Sequence, residues 1–232
     1  MDRLTDARGL YEALLAAHGP QGWWPGGRGF SLPVGAILVQ HTTWASVERA
    51  LDNLRGAGLL DPPALAAADP AAVAELVRPA GLPRQKAERL TGFARALVED
   101  FGGSLELLYA AEPHHLHAWL LARRGIGRET AESVMLYGAR LPVPVVDAYA
   151  RRIVRRLGLA PDGDADAAWR EWFAGQLPAD ATLLGELHAL LVEHGKRFCR
   201  VAPRCTGCPL RACCPVGRQR TAGALPAEEV SV

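Results

Sequence analysis

All five cysteines of the 232-residue chain lie in one stretch, CRVAPRCTGCPLRACC, at residues 199–214. Cysteines clustered in this way in a cytosolic protein are typical of a metal site rather than of disulfides. Four thiolates with the gaps C-x5-C-x2-C-x5-C can hold a [4Fe–4S] cluster or a zinc ion, and spacing alone does not separate the two. The predicted ligands are Cys199, Cys205, Cys208 and Cys214. Cys213 is a spare or an alternative fourth ligand.

A second stretch with chemical potential is RGIGRETAESV, residues 124–134. Glycines between two helical patterns let backbone N–H groups approach a phosphate closely, and the next helix start adds a partial positive charge. The residues that would form this site are Gly125, Ile126, Gly127 and Arg128. A plain tight turn between packed helices is the simpler alternative. Glu129 does not fit an anion site and is interpreted as a helix-start acid without a catalytic duty.

A third candidate is Asp147, in VPVVDAYARRIVRR at residues 143–156. A stiff, Pro-containing connector leads to it, and a helix pattern starts directly after it. Asp is a common N-cap, and the N-terminus of a helix stabilises a carboxylate in its charged form. Asp147 is therefore predicted to be either a cap alone or a cap that also presents a carboxylate for chemistry.

Helices must position these residues, because nearly every periodic segment has apolar residues at three-to-four spacing. No convincing strand pattern is present, so the predicted class is all-α, with roughly ten helices joined by short loops. The net charge is only +1, yet residues 191–220 hold seven Lys or Arg and one acid. Such a patch is compatible with nucleic acid, and a solvated surface is the alternative.

No apolar run approaches the roughly 18 residues that a membrane span needs, so no membrane contact is expected. The first residues, MDRLTDARGLYEALL, have early acids and a helical rhythm and do not resemble a signal peptide. The expected compartment is the cytoplasm, and the expected oligomeric state is a monomer.

The hairpin, an aspartate 18 residues past Glu129 and the cysteine loop together resemble the endonuclease III superfamily of helix-hairpin-helix DNA glycosylases. GLPRQKAERL (residues 81–90) is similar to the family segment before the hairpin. HGKRFCRVAPRCTGCPL (residues 194–210) is similar to its cluster loop, with a first cysteine gap one residue shorter than in endonuclease III. The resemblance implies a [4Fe–4S] cluster rather than zinc.

The resemblance also implies a two-lobed all-α fold. Residues 32–142 would form a six-helix barrel lobe that carries the hairpin, and residues 1–31 with 143–216 a lobe that carries the iron–sulfur loop. Residues 217–232 would form a flexible tail. Four arginines around the cluster would face DNA: Arg197, Arg200, Arg204 and Arg211.

Glu129 stands where endonuclease III has a lysine that attacks the sugar and leads to strand cleavage. A carboxylate cannot form a Schiff base, and the only two lysines, Lys86 and Lys196, do not match the position of that nucleophile. The chain is therefore most similar to the branch that resembles 3-methyladenine DNA glycosylase III. In that branch Trp23, Trp24 and Trp44 would be the aromatic walls of a base pocket.

By the same resemblance, Gln40 would fill the gap left by a flipped base and Leu82 would wedge the opposite strand. Asp147 would be catalytic. The expected function is a monofunctional DNA N-glycosylase for damaged, alkylated bases in double-stranded DNA, working near the nucleoid. The alternatives are a glycosylase for oxidised pyrimidines with weak or no strand cleavage, and a DNA-binding family member with little catalysis.

Overall fold

A computed structural model describes residues 4–23 and 29–222, and this part of the chain contains helices, turns and loops but no strand. The all-α prediction is confirmed, with thirteen α-helices in the described ranges where periodicity predicts about ten. The difference arises from short helices that proline and glycine separate. The helices are α1 Ala7–His18, α2 Ser31–Leu38, α3 Trp44–Gly56, α4 Pro62–Ala67, α5 Pro70–Val77, α6 Pro83–Phe101, α7 Leu105–Tyr109, α8 Pro113–Leu121, α9 Arg128–Ser133, α10 Ala148–Leu157, α11 Asp166–Ala174, α12 Ala181–Arg197 and α13 Pro215–Ala222.

Three short helical turns extend or link these elements. Arg78–Ala80 is a 3₁₀ turn between α5 and α6, and Arg211–Cys213 is another before α13. Val134–Gly138 continues α9 as a π-helical turn. Such π-turns are often found near functional sites.

The chain divides into two compact units, one of Met1–Trp23 with Pro144–Val232 and one of Trp24–Val143. The division that the resemblance implies, residues 32–142 against residues 1–31 with 143–216, stays a prediction. Helix α13, Pro215–Ala222, includes the first residues of the expected tail, and residues 223–232 lie outside the described residues.

Helix α6 is the main helix of the unit Trp24–Val143, and it packs against α2, α4, α5 and α7. It begins with Pro83 at its first position, and Gly102, the C-cap after Phe101, adopts a left-handed conformation. Its apolar face is buried at Leu90, Phe93 and Leu97. Each such side chain contributes about 1.5–3 kcal/mol on burial, so this face anchors the segment that precedes the hairpin.

Helix α12 is the main helix of the other unit, where it packs against α1 and α10. Asp180 caps its first turn by accepting hydrogen bonds from the N–H groups of Thr182 and Leu183. Gly195 lies against the ring of Tyr149, since a Cβ atom there would come within 2.2 Å of Tyr149 Cδ1. The cysteine loop follows directly after α12 and is thus attached to a buried helix.

None of the helices within the described ranges is long and apolar enough to cross a lipid bilayer.

Candidate functional site

Asp147 is the N-cap of α10. Its backbone is extended, with φ −88° and ψ −179°, and its Oδ1 accepts a hydrogen bond of 2.7 Å from the N–H of Ala150. The capping interpretation is therefore confirmed. The residue is only 6% exposed, and its second oxygen, Oδ2, lies 3.7 Å from Nε2 of His188. The cap thus engages one oxygen and leaves the other directed at an imidazole.

His188 connects this carboxylate to an aromatic ring of the same unit. It lies on α12 and is 7% exposed. Its ring contacts Trp23 in a T-shaped arrangement, with centroids 5.7 Å apart and planes at 69°. Lys196, an exposed residue about two turns further along α12, has its Nζ 5.9 Å from the centroid of Trp23. These contacts therefore join four side chains into one continuous group, the Asp147 group: Asp147, His188, Trp23 and Lys196.

The other two tryptophans of the predicted base pocket are less informative. Trp24 lies outside the described residues. Trp44 is the first residue of α3, in the unit Trp24–Val143, where its Nε1 donates a 3.1 Å hydrogen bond to Glu48 Oε1. Its ring packs on Gly35, since a Cβ atom there would be 3.2 Å from Trp44 Cη2.

The predicted hairpin is present between α8 and α9. Gly125 has φ +80°, so it needs the left-handed conformation that glycine adopts freely, and Ile126 is buried. Gly127 is extended and forms the N-cap of α9, with Arg128 and Glu129 in the first turn. Glu129 is exposed, as expected for a helix-start acid.

The side chain of Gln40 is tied to this hairpin. Its Nε2 donates hydrogen bonds of 2.9 Å to the Gly125 carbonyl and 3.0 Å to Thr130 Oγ1. Its Oε1 accepts a bond of 2.6 Å from Arg89 Nη1. The amide therefore has all these partners within its own unit. To enter a DNA duplex, as the resemblance implies, Gln40 must exchange three hydrogen bonds for new ones.

Lys86 is a structural residue. It is 1% exposed, and its Nζ donates to the carbonyls of Leu38, Gln40 and Ala80 at 2.8, 2.8 and 2.7 Å. An ammonium has three donors, and all three are satisfied here. Burial, with a smaller contribution from Arg89, lowers the pKa of Lys86. The position is that of a clamp between chain segments and not of a nucleophile.

Leu82, the predicted wedge, is held in an unusual conformation. It has φ +48° and ψ +49°, which is rare for a branched residue, and it is the N-cap of α6. Its side chain is 49% exposed. A left-handed conformation at a non-glycine residue costs about 1–2 kcal/mol. The strain and the exposure together present an apolar side chain to the solvent.

Four cysteines line one cavity after α12. Its empty space is about 380 Å³, including the part open to solvent, and the four are Cys199, Cys205, Cys208 and Cys214. Cys213 does not line it, being 2% exposed with its Sγ donating to the Leu210 carbonyl. Within the described ranges, no three His, Cys, Asp or Glu side chains are grouped so that they could hold one metal ion. The cysteines are all free thiols.

Polar groups surround these thiols. Arg156 Nη1 lies 3.4 Å from Cys199 Sγ, and the N–H of Gly217 donates to Cys214 Sγ at 3.4 Å. Nε2 of the buried His194 lies 3.6 Å from Cys208 Sγ. Burial raises the pKa of the Cys208 thiol to about 11, so a thiolate there needs nearby positive charge such as a metal supplies.

Arginines of α10 hold the cysteine loop in place. Arg152 Nε donates to the Cys199 carbonyl at 2.7 Å, and Arg156 donates to the carbonyls of Arg200 and Val201 at 2.6 and 2.9 Å. Arg152 and Arg156 therefore have a structural role in the free protein. The four arginines that the sequence assigns to a DNA-facing surface, Arg197, Arg200, Arg204 and Arg211, are exposed.

The sequence did not indicate the contacts of His188 and Arg89, and it excluded Lys86 as a nucleophile without indicating the partners of its ammonium group. The available signal was a polar residue at an apolar helix position. Lys86 stands four residues before Leu90 on the buried face of α6, and His188 stands four residues after Leu184 on the buried face of α12. Periodicity indicates that such residues are buried but does not indicate which partner they meet.

Residues 34–174 match a family described as the HhH-GPD superfamily of base excision DNA repair proteins. The chain is 39% identical to a putative DNA repair glycosylase of Methanocaldococcus jannaschii over 88% of this chain and 94% of that protein. It is 33% identical to endonuclease III of Thermotoga maritima over 84% of this chain and 86% of that enzyme.

Two solved structures have similar folds. A 3-methyladenine DNA glycosylase of H. pylori, bound to 1,N6-ethenoadenine, matches with a TM-score of 0.71 at 26% identity, over 83% of this chain and 98% of that chain. Endonuclease III in a non-covalent complex with DNA matches with a TM-score of 0.78 at 21% identity, over 93% and 96% of the two chains. The second likeness shows the fold alone.

Proposed function

We propose a specific reaction for this chain, which belongs to the HhH-GPD superfamily of base excision DNA repair proteins and is a DNA glycosylase of the endonuclease III type. The proposed reaction is hydrolysis of the N-glycosidic bond of an alkylated purine that has been flipped out of a DNA duplex. The proposed products are the free base and an intact abasic site. The observation that carries the proposal is the buried Asp147, whose Oδ2 remains outside the helix cap.

Asp147 would act at the sugar. As the C1′–N bond breaks, its electron pair leaves with the base and the sugar becomes oxocarbenium-like. An ionised carboxylate stabilises that positive charge and accepts a proton from the attacking water, whose oxygen forms the new bond to C1′. An alkylated purine that carries a positive charge leaves as a neutral base, so the site needs no acid to protonate it.

The substrate class follows from aromatic side chains. A cationic base is attracted to π-faces, and stacking holds a flipped base in a pocket. Trp23 belongs to the Asp147 group and supports this role. For Trp24 and Trp44 the role rests on the family resemblance. The similar H. pylori glycosylase, whose structure holds 1,N6-ethenoadenine, supports a modified purine as substrate.

The grip on DNA would come from the hairpin, with Gly125, Ile126, Gly127 and Arg128 against a phosphate. Phosphate contacts position the protein and carry no sequence information. Leu82 is proposed as the wedge into the opposite strand because about half of this apolar residue is exposed to solvent. Gln40 is proposed to fill the gap of the flipped base after leaving its bonds to Gly125 and Thr130.

The cavity with four cysteines is proposed to hold a [4Fe–4S] cluster through Cys199, Cys205, Cys208 and Cys214. The role of the cluster would be structural. Its loop is already fixed to α10 by Arg152 and Arg156, and it carries exposed arginines that would face DNA.

Absence of strand cleavage is proposed because Glu129 cannot form a Schiff base and because Lys86 has all three donors engaged. One observation favours a second function. Lys196 is exposed and lies beside Trp23, in the same unit as Asp147. A neutral amine there could attack C1′ as the bond to the base breaks, and the resulting Schiff base would allow strand cleavage, as in the alternative of a glycosylase for oxidised pyrimidines.

The two functions are separated by duplexes that each carry one defined lesion. The proposed function predicts release of 3-methyladenine, an uncut strand and no covalent complex after borohydride reduction. Release of thymine glycol with 3-methyladenine left in place would contradict it. A borohydride-trapped complex in the wild type that disappears in Lys196→Met, but not in a Lys86→Arg control, would establish the second function instead.

A further inference from the structure

The side chain of His188 has no part in the mechanism above, although it contacts the proposed catalytic carboxylate. His188 Nε2 is 3.7 Å from Asp147 Oδ2, and both side chains are more than nine-tenths buried. The two residues come from different helices, α12 and the start of α10, that pack against each other. The contact is therefore fixed by the core of the unit and not by a flexible surface chain.

The carboxylate of Asp147 is held at only one oxygen by the cap. The bond from Ala150 N–H to Oδ1 fixes one end of the group and leaves rotation about the Cβ–Cγ bond to be limited by what Oδ2 meets. At 3.7 Å the imidazole is slightly too far for a full hydrogen bond. Catalytic hydrogen bonds are often long in the free enzyme and shorten when substrate binds.

We propose that His188 is a positioning residue for the glycosylase reaction, which directs its Nε2–H at Asp147 Oδ2 and sets the angle of the carboxylate toward the sugar. The inference rests on the proposed function of Asp147. Through its T-shaped contact with Trp23, the same imidazole also fixes that ring, at a centroid distance of 5.7 Å. One side chain thus links the orientation of the carboxylate to that of a wall of the base pocket.

The test compares two substitutions of similar length. Gln places an N–H near the position of Nε2, whereas Met fills a similar volume without a donor. We expect His188→Met to lower the single-turnover rate of base release about 10- to 100-fold, since a misplaced catalytic group costs rate rather than affinity. The duplex Kd should change less than about 2-fold, and His188→Gln should recover most of the rate. His114→Gln, at an exposed histidine of α8, is the matched control.

If the role of His188 is only structural, the two variants should show a different pattern of rates. Met and Gln would then lower the rate equally, or only in proportion to unfolded protein as measured by urea unfolding. Either result overturns the proposal.

A second measurement does not depend on activity. The imidazole ¹⁵N resonances of His188, identified by their loss in His188→Gln, are compared between wild type and Asp147→Asn in the full chain without DNA. We expect the Nε2 resonance to shift, and an unchanged resonance overturns the proposal. If the wild type releases no base from any duplex, the proposed function fails, and the NMR comparison still decides whether the Asp147–His188 contact exists.

Discussion

Substitution by alanine should destabilise the protein more at Gly125 than at Gly127, whereas it should weaken DNA binding at least as much at Gly127. Gly125 has φ +80°, and a Cβ atom there would lie 2.2 Å from Arg89 Nε. Gly127 has φ −87°, and a Cβ atom there meets nothing within 4 Å. The free protein therefore needs glycine at the first position only.

The expected magnitudes follow from these contacts. In Gly125→Ala the left-handed backbone costs about 1–2 kcal/mol. The displaced Arg89 loses its hydrogen bond to Gln40, which costs about 1 kcal/mol more. The free energy of unfolding should fall by about 2–3 kcal/mol in total. Gly127→Ala should cost about 0.5 kcal/mol, because alanine is a poorer N-cap than glycine.

DNA binding should give the reverse order. If the hairpin grips a phosphate, a methyl group at Gly127 stands between the backbone N–H groups and the DNA. Gly127→Ala should then weaken duplex binding at least as much as Gly125→Ala, despite its small effect on stability. Urea unfolding and fluorescence anisotropy at one fixed salt concentration measure the two effects. Wild-type affinity in Gly127→Ala would refute the phosphate grip, and equal destabilisation by both changes would refute the geometry of the turn.

Three further predictions concern single residues. Lys86→Met should lower the free energy of unfolding by about 3 kcal/mol or more, because three backbone carbonyls lose their donor, whereas substitution of the exposed Lys196 by Met should leave it unchanged. Equal urea midpoints of the two variants would contradict the structural role of Lys86. Leu82→Gly should not lower thermal stability, because glycine adopts the left-handed backbone of this position without strain. The same change should reduce base release, and full activity would contradict the proposal that Leu82 is the wedge. Cys214→Ser should abolish the absorption of the proposed iron–sulfur cluster at roughly 400 nm, whereas Cys213→Ala should retain it. The opposite result would mean that Cys213, and not Cys214, is the fourth ligand.

The helical class and several helix starts could be predicted from local patterns. Asp147 caps α10 as expected, and Asp69 caps α5 in the same way, because an N-cap needs only its own side chain and the next turn. The glycine turn between α8 and α9 was predictable for the same reason. These features depend on residues within a few positions of one another.

Contacts between distant segments were not predictable. Gln40 meets Gly125 and Arg89, and Asp147 meets His188, across long separations in sequence. Periodicity indicates which face of a helix is buried and not which helix covers it. The left-handed backbone at Leu82 also has no local signal, since leucine rarely adopts it. The role of Gln40 in filling the gap left by a flipped base accordingly stays a prediction.

The most direct test of the account is the rate of base release by Asp147→Asn. Asparagine is as good an N-cap as aspartate, so the variant should keep its free energy of unfolding within about 0.5 kcal/mol. It lacks the negative charge that stabilises the sugar cation, so its single-turnover release of 3-methyladenine should fall at least about 100-fold. A folded Asp147→Asn protein that releases the base at the wild-type rate would contradict the central claim that this carboxylate performs the chemistry.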